Sequence, residues 1–153
     1  MIDLQFSTEL GPSSELAALK RLLSKARVQR WAAHALRDSH EADQITIRIV
    51  GETEGRELNR SYRGKAKHYA TNVLTFEYSS RPFVAADIVL CAPVIAREAA
   101  EQNKPLEAHW AHLIIHGVLH AQGYDHETNE REAHVMEALE VLLMQSLGYA
   151  NPY

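Results

Sequence analysis

The chain holds a single cysteine, Cys91, in 153 residues, so no disulfide framework within it supports the fold, and a reducing compartment suits it. No apolar run approaches the ~20 residues needed to span a bilayer. The first residues, Met1-Ile2-Asp3-Leu4-Gln5-Phe6, have neither the basic nor the apolar region of a secretory signal. A cytoplasmic protein with no membrane association and no disulfide partner is expected. Glycine (7) and proline (5) are few, and the sequence has no repeats, low-complexity tracts or linkers. With 46% hydrophobic and 24% charged residues, residues 1–153 read as one domain able to build its own core.

The net charge of −4 argues against a nucleic-acid partner until it is divided along the chain. Residues 20–30 carry Lys20, Arg21, Lys25, Arg27 and Arg30 with no acid, and residues 56–68 carry Arg56, Arg60, Arg63, Lys65 and Lys67 against Glu57 alone. The remainder is strongly acidic, and such asymmetry makes a basic footprint on an acidic body. A solvated helix face accounts for 20–30 equally well.

Periodicity and punctuation place the elements. Ile2–Ser7 alternates as a short strand, and Ser13 or Ser14 caps a helix running to about Leu36. Gln44–Val50 is a β-branched strand, followed by a helix over Thr53–Tyr62 with Thr53 as its cap. Asn72–Tyr78 and Phe83–Cys91 are further strands; Pro93 and Pro105 open two more helices, and a last helix spans about Asn129–Leu147. Strands flanked by helices give a mixed α/β layer of α+β class, with a small four-stranded sheet.

The helix expected over 105–122 is the only one whose polar side is mostly histidine. At 100° per residue, His109, His112, His116 and His120 fall within roughly 80° of one another, while Ile114, Ile115, Val118 and Leu119 cover the opposite side. Two pairs are spaced four apart, His112/His116 and His116/His120. Gly123 favours the second pair, because a glycine that leaves the helix at positive φ returns His126 beside His120. His116, His120 and His126 then form a three-imidazole tripod with an open fourth position, the pattern of a catalytic rather than a structural zinc site. Zinc is the default ion, and nickel, copper or iron also accept imidazole. The spacing is that of the metzincin proteases, except that Gly117 stands where they carry their catalytic glutamate.

His116-Gly117-Val118-Leu119-His120-Ala121-Gln122-Gly123-Tyr124-Asp125-His126 resembles the signature of the YbeY family of bacterial rRNA maturation factors. The resemblance continues through Leu58-Asn59-x-x-Tyr62-Arg63, Thr71-Asn72-Val73-Leu74-Thr75-Phe76, Asp87-Ile88 and Pro105–His112. It implies a zincin-like fold with the metal site at the end of the 105–122 helix. It also implies a metal-dependent, single-strand-specific endoribonuclease acting at the 3′ end of small-subunit ribosomal RNA and in ribosome quality control. Its partners would be ribosomal RNA and the ribosome or its assembly factors. His116, His120 and His126 match the family's zinc ligands, and Arg63 its arginine near the metal. Two positions depart from the family pattern: Ala70 replaces a proline, and Ala86 a glycine.

The expected catalytic residues are thus Arg63, whose guanidinium grips phosphate in a fork, and His116. His112, Asp125 and Asn72 are candidates to contact substrate or to orient a ligand imidazole. A zincin-type protease or other zinc hydrolase, and a non-enzymatic ribosome-associated factor with a structural metal, stay open as rival readings.

Overall fold

The structure, a computed structural model, describes residues 1–63, 70–125 and 129–153, with Arg63 by its backbone alone. Its order is β1 (Ile2–Phe6), a 3₁₀ turn (Thr8–Leu10), α1 (Ser14–Leu22), α2 (Lys25–Ala35), β2 (Gln44–Val50), α3 (Glu52–Arg63), β3 (Val73–Ser79), β4 (Ala85–Cys91), α4 (Ala92–Glu101), α5 (Leu106–Ala121) and α6 (Glu130–Ser146). The four strands form one mixed sheet in the order β1-β2-β4-β3. β1, β2 and β4 run parallel, while β3 is antiparallel to β4 and forms an edge of the sheet, with a register shift between Glu77 and Ser79.

Strand alternation sorts the side chains between two layers. Ile45, Ile47, Ile49, Ala86, Ile88 and Leu90 enter the larger core with Trp31 of α2, Trp110 and Ile114 of α5, and Met136 and Leu143 of α6. Val50, Leu74, Val89 and Cys91 form the smaller cluster, against which Leu58 of α3 packs. Cys91 and Trp110 are accordingly core residues, each 1% exposed.

Two local expectations are corrected. The single helix expected from 13 to about 36 is two helices, because Leu23 leaves the helical region (φ −100°, ψ 56°) and Ser24 caps α2 by accepting the Arg27 N–H. Leu23 is 1% exposed, so burying it in the core accompanies the break. The cap of α3 is supplied not by Thr53 but by Glu9, whose carboxylate accepts the N–H groups of Thr53 and Glu54 at 2.8 and 3.0 Å. An anion there meets the positive end of the helix dipole. Burial pushes the Glu9 carboxyl up, but the bonds from Glu54 and Thr53 outweigh it and hold it below its ordinary range.

α5 lies across the sheet, and its approach is set by Gly117. A Cβ at 117 would lie 2.7 Å from Ile88 Cγ2 and 3.5 Å from Val73 Cγ2. The helix therefore sits closer to β3 and β4 than any side chain at that position permits.

Candidate metal centre

The histidine face of α5 is a row of imidazole–carboxylate pairs. His109 Nε2–H donates to Glu98 Oε1 at 3.0 Å, and His112 Nε2–H to Glu140 Oε2 at 2.5 Å. His116 Nδ1–H donates to Glu140 Oε1 at 2.8 Å, and His120 Nδ1–H to Glu77 Oε1 at 3.0 Å. An ionised carboxylate only accepts, so each partner fixes which ring nitrogen carries the proton. The pattern changes along the helix. His109 and His112, 4% and 8% exposed, spend Nε2 on their carboxylates, and their buried Nδ1 atoms meet no partner among the described residues. His116 and His120 use Nδ1 instead, which in the neutral ring leaves the lone pair on Nε2.

That difference is the test of whether this helix suits a metal. Metal-bound histidines characteristically donate their second N–H to a carboxylate, which fixes the tautomer and raises ligand basicity. His116 and His120 meet this condition side by side, with ring centroids 6.2 Å apart. His112 presents the opposite nitrogen, and its ring stands 6.4 Å from His116. The donor set therefore fits a divalent cation at the His116–His120 end. Among the described residues, no three His, Cys, Asp or Glu side chains complete such a site; the third expected ligand, His126, lies outside them.

Local structure supports this end of the helix. α5 stops at Ala121, and Gly123 takes φ 99° with its N–H on the His120 carbonyl at 3.0 Å. No heavy atom would meet a Cβ at Gly123 within 4 Å, so conformation rather than space selects glycine there. Gln122 ties the turn to α2: its amide donates to the Ala35 carbonyl at 2.8 Å, and its carbonyl accepts the Arg37 N–H at 2.8 Å. Asp125 follows, half-buried, in a recess it shares with Tyr124, Asn129 and Arg131.

Of the remaining expected residues, Asn72 sits at the other end of the row. Its amide donates to both Glu98 oxygens at 3.1 and 3.2 Å, and its Oδ1 accepts the Val73 N–H. Asn72 thereby supports the partner of His109 at the start of β3. Arg63 is the last residue of α3, and its side chain lies outside the described residues. In the other basic segment, Arg27 pairs with Glu107 at 3.2 Å and Lys20 lies over Phe6.

The carboxylates are what sequence reasoning missed, above all Glu140. It is 1% exposed on α6, among the buried Met136, Leu143 and Met144. Burial pushes its carboxyl up, but hydrogen bonds from His112 and His116 outweigh that and hold it at about 2. A lone glutamate within an apolar helix row was the available signal. Tyr153 also donates its hydroxyl to Glu140; burial first, then Glu140, pushes this phenol well above its ordinary range, so it remains a donor.

Gly117 bears on the protease reading. The space a Cβ would need is filled by Ile88, a stiff β-branched side chain. The glutamate of a zincin protease has no room at this position as α5 now sits.

A four-stranded mixed sheet with its helices and histidine-faced α5 defines an α+β domain. The solution structure of TM1509 from Thermotoga maritima shares that fold, with TM-score 0.61 and 26% identity over 96% of this chain and 89% of that one. The family model described as Endoribonuclease YbeY matches residues 15–148, and the chain belongs to the YbeY family. Curated relatives carrying the same description include one from Polaromonas sp. strain JS666, 58% identical over 150 residues and covering 98% of this chain and 94% of that protein. Another, from Aromatoleum aromaticum, is 59% identical over 130 residues, covering 85% and 80%.

Proposed function

We propose that this protein is a metal-dependent, single-strand-specific endoribonuclease acting in ribosomal RNA maturation, at the 3′ end of the small-subunit RNA, and in ribosome quality control in the cytoplasm. Membership of the YbeY family supports the reaction class. The observation that carries the metal dependence is the shared hydrogen-bond pattern of His116 and His120, each with Nδ1 on a carboxylate. His116, His120 and His126 would hold the ion, with zinc favoured and nickel or another divalent ion compatible. Once bound, such an ion supplies Lewis acidity toward a phosphodiester and lowers the pKa of water.

The chain's own residues supply orientation and charge. Glu140 and Glu77 accept the Nδ1–H of the two imidazoles and hold both rings in orientation, so that little rearrangement is needed when a ligand arrives. Arg63 contributes a permanently charged guanidinium that positions a phosphodiester and stabilises charge developing on its oxygens. Among the described residues no helix is long and apolar enough to cross a membrane.

The deciding experiment pairs metal analysis with cleavage of a single-stranded RNA by wild type and His116→Ala protein purified side by side. Cleavage and stoichiometric metal in the wild type, both lost in a folded variant, are expected. Equal cleavage by the two proteins would end the proposal, and hydrolysis of peptides with RNA left intact would favour a zincin-type protease. For Arg63→Glu, normal metal content with lost cleavage is expected; normal RNA turnover at matched metal occupancy would remove Arg63 from the mechanism.

A further inference from the structure

Resting on the reading of His116 as a metal ligand, we propose that Tyr153 and Glu140 act as a positioning relay through which the C-terminal segment sets the orientation of the His116 imidazole.

Glu140 gathers three donors, two from α5 and one from the C-terminal segment. Its Oε2 accepts His112 Nε2–H and the Tyr153 hydroxyl, and its Oε1 accepts His116 Nδ1–H. A carboxylate turns readily about its last side-chain torsion, which is broad and two-fold. Two donors on Oε2 hold that torsion still, and Oε1 is left at one place for His116. Tyr153 is itself held. Its ring meets His112 edge-on at 5.4 Å, and its N–H donates to Asn151 Oδ1 at 2.9 Å. The preceding Pro152 is buried, and its carbonyl accepts Lys104 Nζ at 2.5 Å. Tyr149 anchors the start of the segment by donating its hydroxyl to Glu107 Oε2 at 2.6 Å. The segment is thus tied to residues at the beginning of α5 while its last phenol acts on the middle of that helix. Tyr153 lies beyond residues 15–148 matched by the family model, so this assignment comes from the geometry of this chain.

A purely structural role would lower stability and leave the imidazole unchanged, so the test reads the imidazole directly. In metal-free protein carrying ¹⁵N-labelled histidine, long-range ¹H–¹⁵N spectra report which ring nitrogen of His116 is protonated. The wild type is expected in the Nδ1–H form. Glu140→Gln offers one acceptor oxygen to two histidines, so His116 should shift toward the Nε2–H form. Its Zn²⁺ affinity, measured by chelator competition well below the unfolding temperature, should fall about 10–100-fold. Tyr153→Phe keeps the ring against His112 and removes only the hydroxyl; a smaller loss in the same direction is expected. Wild-type tautomer and Zn²⁺ affinity in both folded variants would overturn the relay. Should Glu140→Gln not fold, the same result in Tyr153→Phe alone overturns it. A wild-type protein that takes up no Zn²⁺ would overturn the metal reading instead, and the tautomer comparison would still judge the relay.

Discussion

Replacing Gly117 by alanine sets two effects of opposite sign against each other. As an exposed helix substitution, glycine to alanine should stabilise by about 1 kcal/mol, through backbone entropy. At 117, however, the new methyl would stand 2.7 Å from Ile88 Cγ2 and 3.4 Å from its Cδ1. Carbon atoms prefer separations of about 3.5–4.0 Å, so the overlap is close to an ångström against a side chain that cannot swing away. Overpacking of this kind costs about 1–3 kcal/mol, and the sum is a destabilisation of about 0–2 kcal/mol. Urea unfolding in the presence of a chelator, which removes any stabilisation by bound metal, measures it directly. The sharper assay is a double-mutant cycle. Ile88→Ala alone should cost about 2–5 kcal/mol by leaving a cavity. In the double variant the alanine methyl at 117 enters space that Ile88 has vacated, so the two costs should fall short of additivity by about 0.5–3 kcal/mol. A stabilised Gly117→Ala protein, together with additive energies in the double variant, would refute the claim that close approach is why glycine stands at 117.

Other expectations follow from single contacts. Ser24→Ala removes the acceptor for the Arg27 N–H and should cost about 1 kcal/mol; an unchanged urea midpoint would mean the α1–α2 break is held by Leu23 alone. Glu54 receives Arg48 at 2.6 and 3.1 Å and the Ser7 hydroxyl at 2.8 Å. The Arg48 bonds, opposed by burial and aided by Ser7, hold its carboxyl below the ordinary range. Its stabilising contribution is therefore present above the unfolded carboxylate value of about 4.3 and lost as pH falls through the lower folded value. Glu54→Gln should flatten that acid limb of the stability profile, and parallel wild-type and variant profiles would contradict the assignment. Glu77→Gln leaves the fold intact while weakening the hold on His120, so Zn²⁺ affinity should drop about 10–100-fold; an unaltered dissociation constant would remove Glu77 from the site.

What could be read in advance divides by distance along the chain. β2 and β4 were legible because each is a short run rich in β-branched residues, β2 with Ile45, Ile47 and Ile49 buried at alternate positions. The histidine face of α5 was legible because helical spacing is local. The break at Leu23 was hidden, since Leu22 and Leu23 continue an apolar pattern and Ser24 reads equally as an interior residue or a cap. Glu9 capping α3 was out of reach for another reason: the donor groups lie 44 and 45 residues away. The same holds for the carboxylates behind the imidazoles, 43 residues from His120 and 24 from His116. Spacing locates residues that one element brings together; only the sheet order and the packing of α6 on α5 supply their partners.

The row of imidazole–carboxylate pairs has a consequence for how α5 finds its seat. This helix buries residues almost all the way round, from Trp110 and Ala111 through Ile114, Ile115, Val118 and Leu119 to Ala121. A cylinder so evenly apolar could turn about its own axis with small changes in buried area. Polar partners are less forgiving, because a buried imidazole displaced from its acceptor loses a hydrogen bond outright. Glu77 from β3, Glu98 from α4 and Glu140 from α6 grip the row at its two ends and its middle. A turn of one residue, 100°, would break all of them together. The carboxylates thus work as a key that admits one angular setting of α5, and Gly117 then lets the helix close on the sheet in that setting.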